Sequence, residues 1–405
     1  MTHRLRARWI FPVDRAPIEN GVIEFAEGTI VGLSNTFDSH AFDLGNFALI
    51  PGLVNAHTHL ELSDHRAPLG PTAPFTGWLA AVIDHRRKRA AEGFVTSSAV
   101  QVGGRESHDT GTTLLGDIVS PDWSSAWLTE PRPRTIAFLE LLGLSPERVA
   151  PQLEAAAQHF ENARNSPAEF IPGLSPHAPY SVHPDLFRGL VDLAVSQRAP
   201  FAFHLAETPQ ELELLAHATG PFVDFLTQLG VWRPDAIPRG TRPLDYLQQL
   251  AALDHALVVH GNYLSAKEIE FLAGHQGISV VYCPRTHSYF GHAPHPWRTL
   301  LARDVNVALG TDSRASTPDL NLWNEVLHLQ RQFPKDDPAL FLELATRRGA
   351  RALGEEKRTG TLTPGKNADF AIVQLPDLGG TDPYELLYAR EARISACGAD
   401  LTEPT

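Results

Sequence analysis

The chain is expected to fold as an α/β protein, a (β/α)8 TIM barrel with a small β-sandwich domain built from both termini. Three observations lead there. Short apolar or β-branched runs alternate with helical stretches through the middle of the chain, and eight such runs can be counted, the strand number of a (β/α)8 barrel. Before residue 51 and beyond about residue 359 the text is strand-like instead. The length of 405 residues suits one large barrel plus an accessory domain.

Residues 4–13 read as a first strand, and residues 21–25 and 29–33 as a hairpin around Glu27-Gly28. The run Phe47-Ala48-Leu49-Ile50-Pro51-Gly52-Leu53-Val54-Asn55 then enters His57 and counts as the first barrel strand. The other seven lie at 111–119, 135–139, 170–174, 200–203, 256–259, 278–282 and 305–309. Helical patterns separate them, for example at 146–165 and 265–273. Near the end a further strand is expected at 370–374. The expected division is therefore a composite β domain of residues 1–50 plus 360–405 and a barrel of residues 51–359. Residues 217–249 are long for a βα loop. They carry Gly220-Pro221, Trp232-Arg233-Pro234 and Pro238-Arg239-Gly240. Loops at that end of a barrel shape the pocket, so the segment is either a lid or a surface excursion.

Composition narrows the class. The hydrophobic fraction is 43% and the charged fraction 20%, as in ordinary globular enzymes. The net charge of −13 repels phosphate backbones, so nucleic acid is not an expected partner. No apolar stretch is long enough to span a bilayer, and residues 1–15 lack the apolar core of a secretory leader. The two cysteines, Cys283 and Cys397, form no CxxC pair, which argues against a disulfide framework or a thiolate zinc site. A small-molecule substrate, a cytoplasmic setting and possible homo-oligomerisation are the expectations.

The strongest local signal is His57-Thr58-His59 at the end of an apolar strand. Residues i and i+2 of a strand point the same way, so both imidazoles face one point, as two ligands of one metal must. A lone HxH is weak, because solvated or core histidines are commoner than ligands. Its place at a strand's C-terminal end raises its value, since barrel active sites gather there. Four more strand ends carry polar groups: His177, His204 with Glu207 three residues on, His260, and Asp312. Each has a bland reading, a loop hydrogen bond or a helix cap, but five such ends are hard to obtain from packing alone.

At this point the chain resembles the amidohydrolase superfamily. The resemblance rests on Pro51-Gly52-Leu53-Val54-Asn55-Ala56-His57-Thr58-His59, His204-Leu205-Ala206-Glu207, His260-Gly261-Asn262, Gly310-Thr311-Asp312-Ser313 and Leu362-Thr363-Pro364-Gly365-Lys366-Asn367-Ala368-Asp369. It implies the barrel, the β domain made by both ends, and metal binding by His57, His59, His204 and Asp312. The end of the fourth strand, Gly173-Leu174-Ser175-Pro176-His177, offers no Lys or acid to bridge two metals. One divalent ion is therefore expected, zinc first, with iron or manganese open because such ligands suit several cations. The His-x-x-Glu after the fifth strand is similar to the branch holding cytosine, adenosine, methylthioadenosine and S-adenosylhomocysteine deaminases.

The mechanism that this implies is hydrolytic deamination. A bound cation lowers the pKa of water towards about 7. Asp312 accepts its proton, His260 orients the water, and Glu207 protonates a ring nitrogen and then the leaving ammonia. His177 lies where it could hold ring or sugar. A narrower resemblance comes from His59-Leu60-Glu61-Leu62-Ser63 and Pro74-Phe75-Thr76-Gly77-Trp78-Leu79-Ala80-Ala81-Val82-Ile83-Asp84-His85-Arg86-Arg87. These look like the aminodeoxyfutalosine deaminases of the alternative menaquinone pathway, whose nucleoside substrate carries a carboxyphenyl arm. The adenosine-type branch places an acid near Arg87, and here the residues are Arg86-Arg87. Arg87 and Arg285 are the candidates to grip a carboxylate bidentately, with a solvated helix face as the alternative for most of residues 86–89. Glu140 could contact substrate or pair with an Arg. The competing substrates are another amino-heterocycle, an S-adenosylhomocysteine or adenosine type of nucleoside, a formimino group or a halogenated triazine. A non-catalytic barrel scaffold would be expected to lose ligands or the proton shuttle, and here all are present.

Overall fold

The computed structural model describes residues 2–164, 166–167, 169–377 and 381–396. Cys397 and the rest of the C-terminal end lie outside the described residues. The chain begins with β1 (Thr2–Ile10), β2 (Ile18–Ala26), β3 (Thr29–Ser34), β4 (Phe42–Asp43) and β5 (Phe47–Pro51). The β2–β3 turn is the expected Glu27-Gly28, and both residues have positive φ, 51° and 71°, as a two-residue hairpin turn requires.

Eight strands then form the barrel: β6 (Leu53–Thr58), β7 (Thr112–Val119), β8 (Arg134–Leu141), β9 (Phe170–Pro176), β10 (Phe201–Leu205), β11 (Ala256–His260), β12 (Ile278–Tyr282) and β13 (Asn306–Leu309). They are hydrogen-bonded in sequence order, and every adjacent pair is parallel. The seam between first and last strands is joined at their C-terminal ends, where Thr58 and Asp312 form a parallel bridge. The N–H groups of Thr311 and Asp312 both donate to the His57 carbonyl at 3.1 Å. Buried parallel strands read as continuous apolar runs, and β10 to β13 are buried at every position.

After the barrel come β14 (Phe370–Gln374) and β15 (Arg393–Ala396). β14 pairs antiparallel with β5, Phe370 opposite Pro51 and Gln374 opposite Phe47, so both ends of the chain share one sheet. That sheet has seven strands in the order β15-β14-β5-β1-β2-β3, with β4 beside β1. Its strands hydrogen-bond continuously, and a bridge from Thr29 to Asn367 folds it over a core containing Leu5, Ile10, Ile23, Leu49, Leu362 and Phe370.

The run 47–55 is not one strand. It divides at Gly52 between the two sheets, and a Cβ at Gly52 would run into the Thr113 side chain. The segment 217–249 contains two helices, Pro221–Gln228 and Pro243–Leu250. No helix among the described residues is long and apolar enough to cross a membrane.

Candidate metal centre and active site

Alternation along the strands sorts core from site. On β10, Phe201, Phe203 and Leu205 join the large core shared with the helices. Ala202 joins a second cluster with Leu257, Val259 and Val281, and His204, two residues on and facing the same way, reaches the mouth. There it meets His57 from β6 and His59, which follows that strand. The ring centroids of His57 lie 4.9 Å from His59 and 5.0 Å from His204. One ring nitrogen from each of the three falls within 4.8 Å of the others. Asp312 Oδ1 lies 3.7 Å from Nε2 of both His57 and His59, while Ser316 donates to its other oxygen at 3.1 Å.

The protonation pattern suits a cation. His204 Nδ1 is 2.8 Å from the His177 carbonyl; a carbonyl only accepts, so Nδ1 carries the proton and Nε2 keeps its lone pair. Burial pushes His59 and His260 down to about 3 and His204 well below its ordinary value. Burial also opposes ionisation of Asp312, but the facing imidazoles of His57, His260 and His59 outweigh it and hold the carboxyl below its usual range. Both ring nitrogens of the buried His57 lack a hydrogen-bond partner, a cost that a native interior does not leave standing. Three imidazoles and one carboxylate converging on a point fit a single divalent cation.

Three residues turn the chain into this mouth with left-handed backbones that only glycine adopts freely: Ala206 (φ 53°), His260 (φ 68°) and Asp312 (φ 57°). Beyond Ala206, Glu207 is 5% exposed, with Oε1 3.4 Å from His260 Nε2. Burial, followed by the charges of Asp312 and Glu211, pushes Glu207 well above the carboxylate range. Its backbone is fixed from two sides. Glu211 accepts from the N–H groups of Ala206 and Glu207 at 2.8 and 2.9 Å, and Asn262 Nδ2 donates to the Glu207 carbonyl at 3.0 Å. Asn55 ties β6 to the other side of the seam, donating to Thr311 Oγ1 at 2.8 Å and accepting from its N–H at 3.1 Å.

Above these groups opens a cavity of about 570 Å³. One wall is helix Phe75–Ala91, through Trp78, Leu79, Val82 and Ile83; another is helix Pro221–Gln228, through Phe225 and Leu226. The segment 217–249 thus builds part of the pocket wall. Among the described residues His59, His177, His204, Glu207, His260 and Asp312 border the cavity.

A model described as amidohydrolase family matches residues 48–395. The chain belongs to the amidohydrolase family. An aminodeoxyfutalosine deaminase of Deinococcus radiodurans is 30% identical over 317 residues, 76% of this chain and 73% of that protein. A 5-methylthioadenosine/S-adenosylhomocysteine deaminase of Syntrophobacter fumaroxidans is 28% identical over 347 residues, 83% of this chain and 74% of the relative. In structure, Helicobacter pylori aminofutalosine deaminase superposes with a TM-score of 0.82 at 22% identity, covering 97% of both chains.

Two expected residues of this amidohydrolase lie elsewhere. Arg285 is not in the pocket. Its guanidinium pairs with Glu325 at 2.5 Å and Asp319 at 2.8 Å and is 12% exposed, so a structural ion pair occupies it. Arg87 is exposed and outside the cavity lining. The helix places Trp78, Leu79, Val82, Ile83 and Arg86 along one face, and one further residue rotates Arg87 about 100° away. Among the described residues, the arginines that border the cavity are Arg86, Arg148 and Arg233. Glu140 borders it too, with Oε2 3.6 Å from Arg86. A second cluster, Asp64, His65 and His85, is occupied by Arg89, which meets both Asp64 and His85. The residues whose roles sequence reasoning missed are Glu211, Asn262, Ser316, Arg148, Arg233 and, in the pocket, Arg86. Glu211 carries a local signal, since Thr208-Pro209-Gln210-Glu211 has the Thr-x-x-Glu pattern of a capped helix start and Thr208 does cap helix Pro209–His217; for Arg86 the helical spacing from Val82 is the signal.

Proposed function

We propose that this amidohydrolase deaminates an aminopurine nucleoside bearing a negatively charged arm, 6-aminodeoxyfutalosine being the first choice, with a role in menaquinone biosynthesis following from that substrate. The observation that carries the deaminase reading is Glu207, a buried carboxyl 3.4 Å from His260 at the ligand cluster, whose hold on a proton burial strengthens. His57, His59, His204 and Asp312 would hold one divalent cation. Zinc is preferred, since the adenosine deaminase of Xanthomonas campestris, superposing with a TM-score of 0.78 at 26% identity over 95% of this chain and 88% of that one, was solved with zinc bound.

When bound, the cation supplies Lewis acidity that brings the pKa of an attacking water towards about 7. The chain's own groups do the rest. Glu207 donates its proton to a ring nitrogen, which makes the amino-bearing carbon electrophilic. Asp312, ionised, accepts a proton from the water as the new C–O bond forms, and His260 orients that water by hydrogen bonding. Glu207 then takes the proton of the new hydroxyl and passes it to the amine, the C–N bond breaks as the carbonyl forms and ammonia leaves, and the proton held by Asp312 restores Glu207. The apolar walls bury the purine and keep bulk water out, while Arg148 and Arg233, exposed at the rim, meet a carboxylate at the far end of the substrate.

S-adenosylhomocysteine is the second reading, because it also combines an aminopurine with a carboxylate and relatives at 28% identity carry that name. The test is kcat/KM for 6-aminodeoxyfutalosine, S-adenosylhomocysteine and adenosine, with ammonia release as readout, repeated in Arg148→Met and Arg233→Met. The carboxylated substrates should exceed adenosine by at least about 10-fold, the lower end of what a charge-assisted hydrogen bond supplies. The two variants should narrow that gap. Equal rates on all three substrates would refute the charged arm, and no ammonia from any of them would refute the deaminase.

A further inference from the structure

We propose that Glu140 is the acceptor for the sugar hydroxyls of the substrate, gripping a vicinal diol from β8, two strands round the mouth from the β10 end that carries Glu207. This rests on the nucleoside reading above and goes beyond it by assigning the sugar site.

Three observations carry it. The first is placement. The reacting groups stand on β6, β10, β11 and the turn after β13, whereas Glu140 lies near the end of β8, in register with Ser175 of β9. It therefore borders the same cavity as His177 and Arg86, between the metal end and the arginine rim. A nucleoside with its base at Glu207 and its charged arm at Arg148 and Arg233 passes its sugar across this strand end.

The second is elimination among the cavity's acids. Of the described residues lining the cavity, the carboxylates are Glu140, Glu207 and Asp312. Glu207 and Asp312 belong to the reacting end. The helical wall offers none, for its cavity face runs Phe75, Trp78, Leu79, Val82, Ile83, Arg86. The nearby Asp84 is exposed and pairs with Lys88 at 2.7 Å.

The third is an unfilled hydrogen-bonding capacity. The Glu140 side chain is 10% exposed, and its ion-pair partner among the described residues, Arg86, stays 3.6 Å from Oε2. That is longer than a normal N–H···O bond. A carboxylate offers about four acceptor positions, and Glu140 presents its own to the cavity, where a ligand's donors can reach them. Two adjacent hydroxyls are the donors that fill both of its oxygens at once. Arg86, half-exposed beside it, positions the carboxylate and does not itself need to touch the sugar.

The experiment is a cycle between enzyme and substrate. The probes are 6-aminodeoxyfutalosine and its 2′,3′-dideoxy counterpart; the enzymes are the metal-loaded wild type, Glu140→Gln and, as a second variant, Glu140→Leu. In the wild type, removing the diol should lower kcat/KM about 10- to 100-fold, the span of hydrogen bonds to a charged group. Glu140→Gln should slow the ribosyl substrate by a similar factor, chiefly through KM, yet change the dideoxy substrate by less than about threefold. Retained metal content and dideoxy turnover show that the variant is folded. If the wild type loses less than about threefold on diol removal, or if Glu140→Gln and Glu140→Leu slow both substrates alike, Glu140 serves Arg86 or the fold and the proposal is overturned. If the wild type deaminates neither probe, the nucleoside reading fails and takes this assignment with it.

Discussion

Replacing Arg285 by Met removes a cation that meets two acids at once. Glu325 is fully buried, and Arg285 is 12% exposed. Breaking such a pair from one side costs about 3–5 kcal/mol. The Asp319 arm, 28% exposed, adds less because water screens it. Burial already pushes Glu325 up to about 7 against the opposing pull of Arg285. Without the arginine the carboxyl rises further and takes a proton, which limits the damage at low pH. A folded pKa above the unfolded value means that the folded state holds an extra proton, so its stability falls as pH rises. In the variant that fall extends to higher pH, and the cost relative to wild type should grow above pH 7 by up to about 1.4 kcal/mol per unit. Urea denaturation at pH 6, 7 and 8 measures it, and Arg285→Met/Glu325→Gln should lose the extra slope. The ratio of kcat/KM for carboxylated over neutral nucleosides should stay within about threefold of wild type. A variant within about 1 kcal/mol of wild type at pH 8, or one with collapsed selectivity, would refute the structural assignment of this arginine.

Other outcomes follow from the site. His57→Ala should abolish tight binding of the divalent ion, read by elemental analysis of the purified protein; a full metal complement would remove His57 from the ligand set. Glu207→Gln should keep metal and fold while losing turnover by at least about 10²-fold, the low end for general acid–base catalysis, and a near wild-type rate would exclude the proton shuttle. Glu211→Gln should lower stability by about 1–3 kcal/mol by leaving one of two buried N–H groups without its acceptor. Burial pushes Glu211 up to about 7 from 4.5, so its contribution is complete below about pH 4.5 and lost as pH rises through about 7. The thermal midpoint of the variant should therefore fall less steeply than that of wild type between pH 5 and pH 8, and parallel curves would show that Glu211 titrates normally.

The barrel was legible because buried parallel strands leave long apolar runs: residues 278–282 coincide with β12, and residues 170–174 and 135–139 sit inside β9 and β8. The run 47–55 misled for the same reason, since nothing apolar distinguishes a strand in the terminal sheet from the barrel strand one glycine later. His57, His59, His204 and Asp312 were readable as a set because strand ends in this architecture converge. Arg86 was not, because four successive basic residues hide the helix phase, although counting four on from Val82 points to it. Arg285 could not be sorted from the sequence at all: its partner Glu325 lies 40 positions downstream, and only the folded chain shows that both are buried.

The seam of the barrel has a temporal consequence. Asn55 and Thr311, which tie it, are 256 positions apart, and the histidines of the first strand meet their carboxylate only across that join. A chain emerging in order from its N-terminus can present His57, His59 and His204 long before Asp312 exists. The complete donor set is therefore a property of the finished fold. A cation held there as proposed would act as a rivet over the last join, tightening the first-made and last-made strands by RT ln(1 + [M]/Kd), whereas a chain cut short before β13 is left with three imidazoles and an open edge.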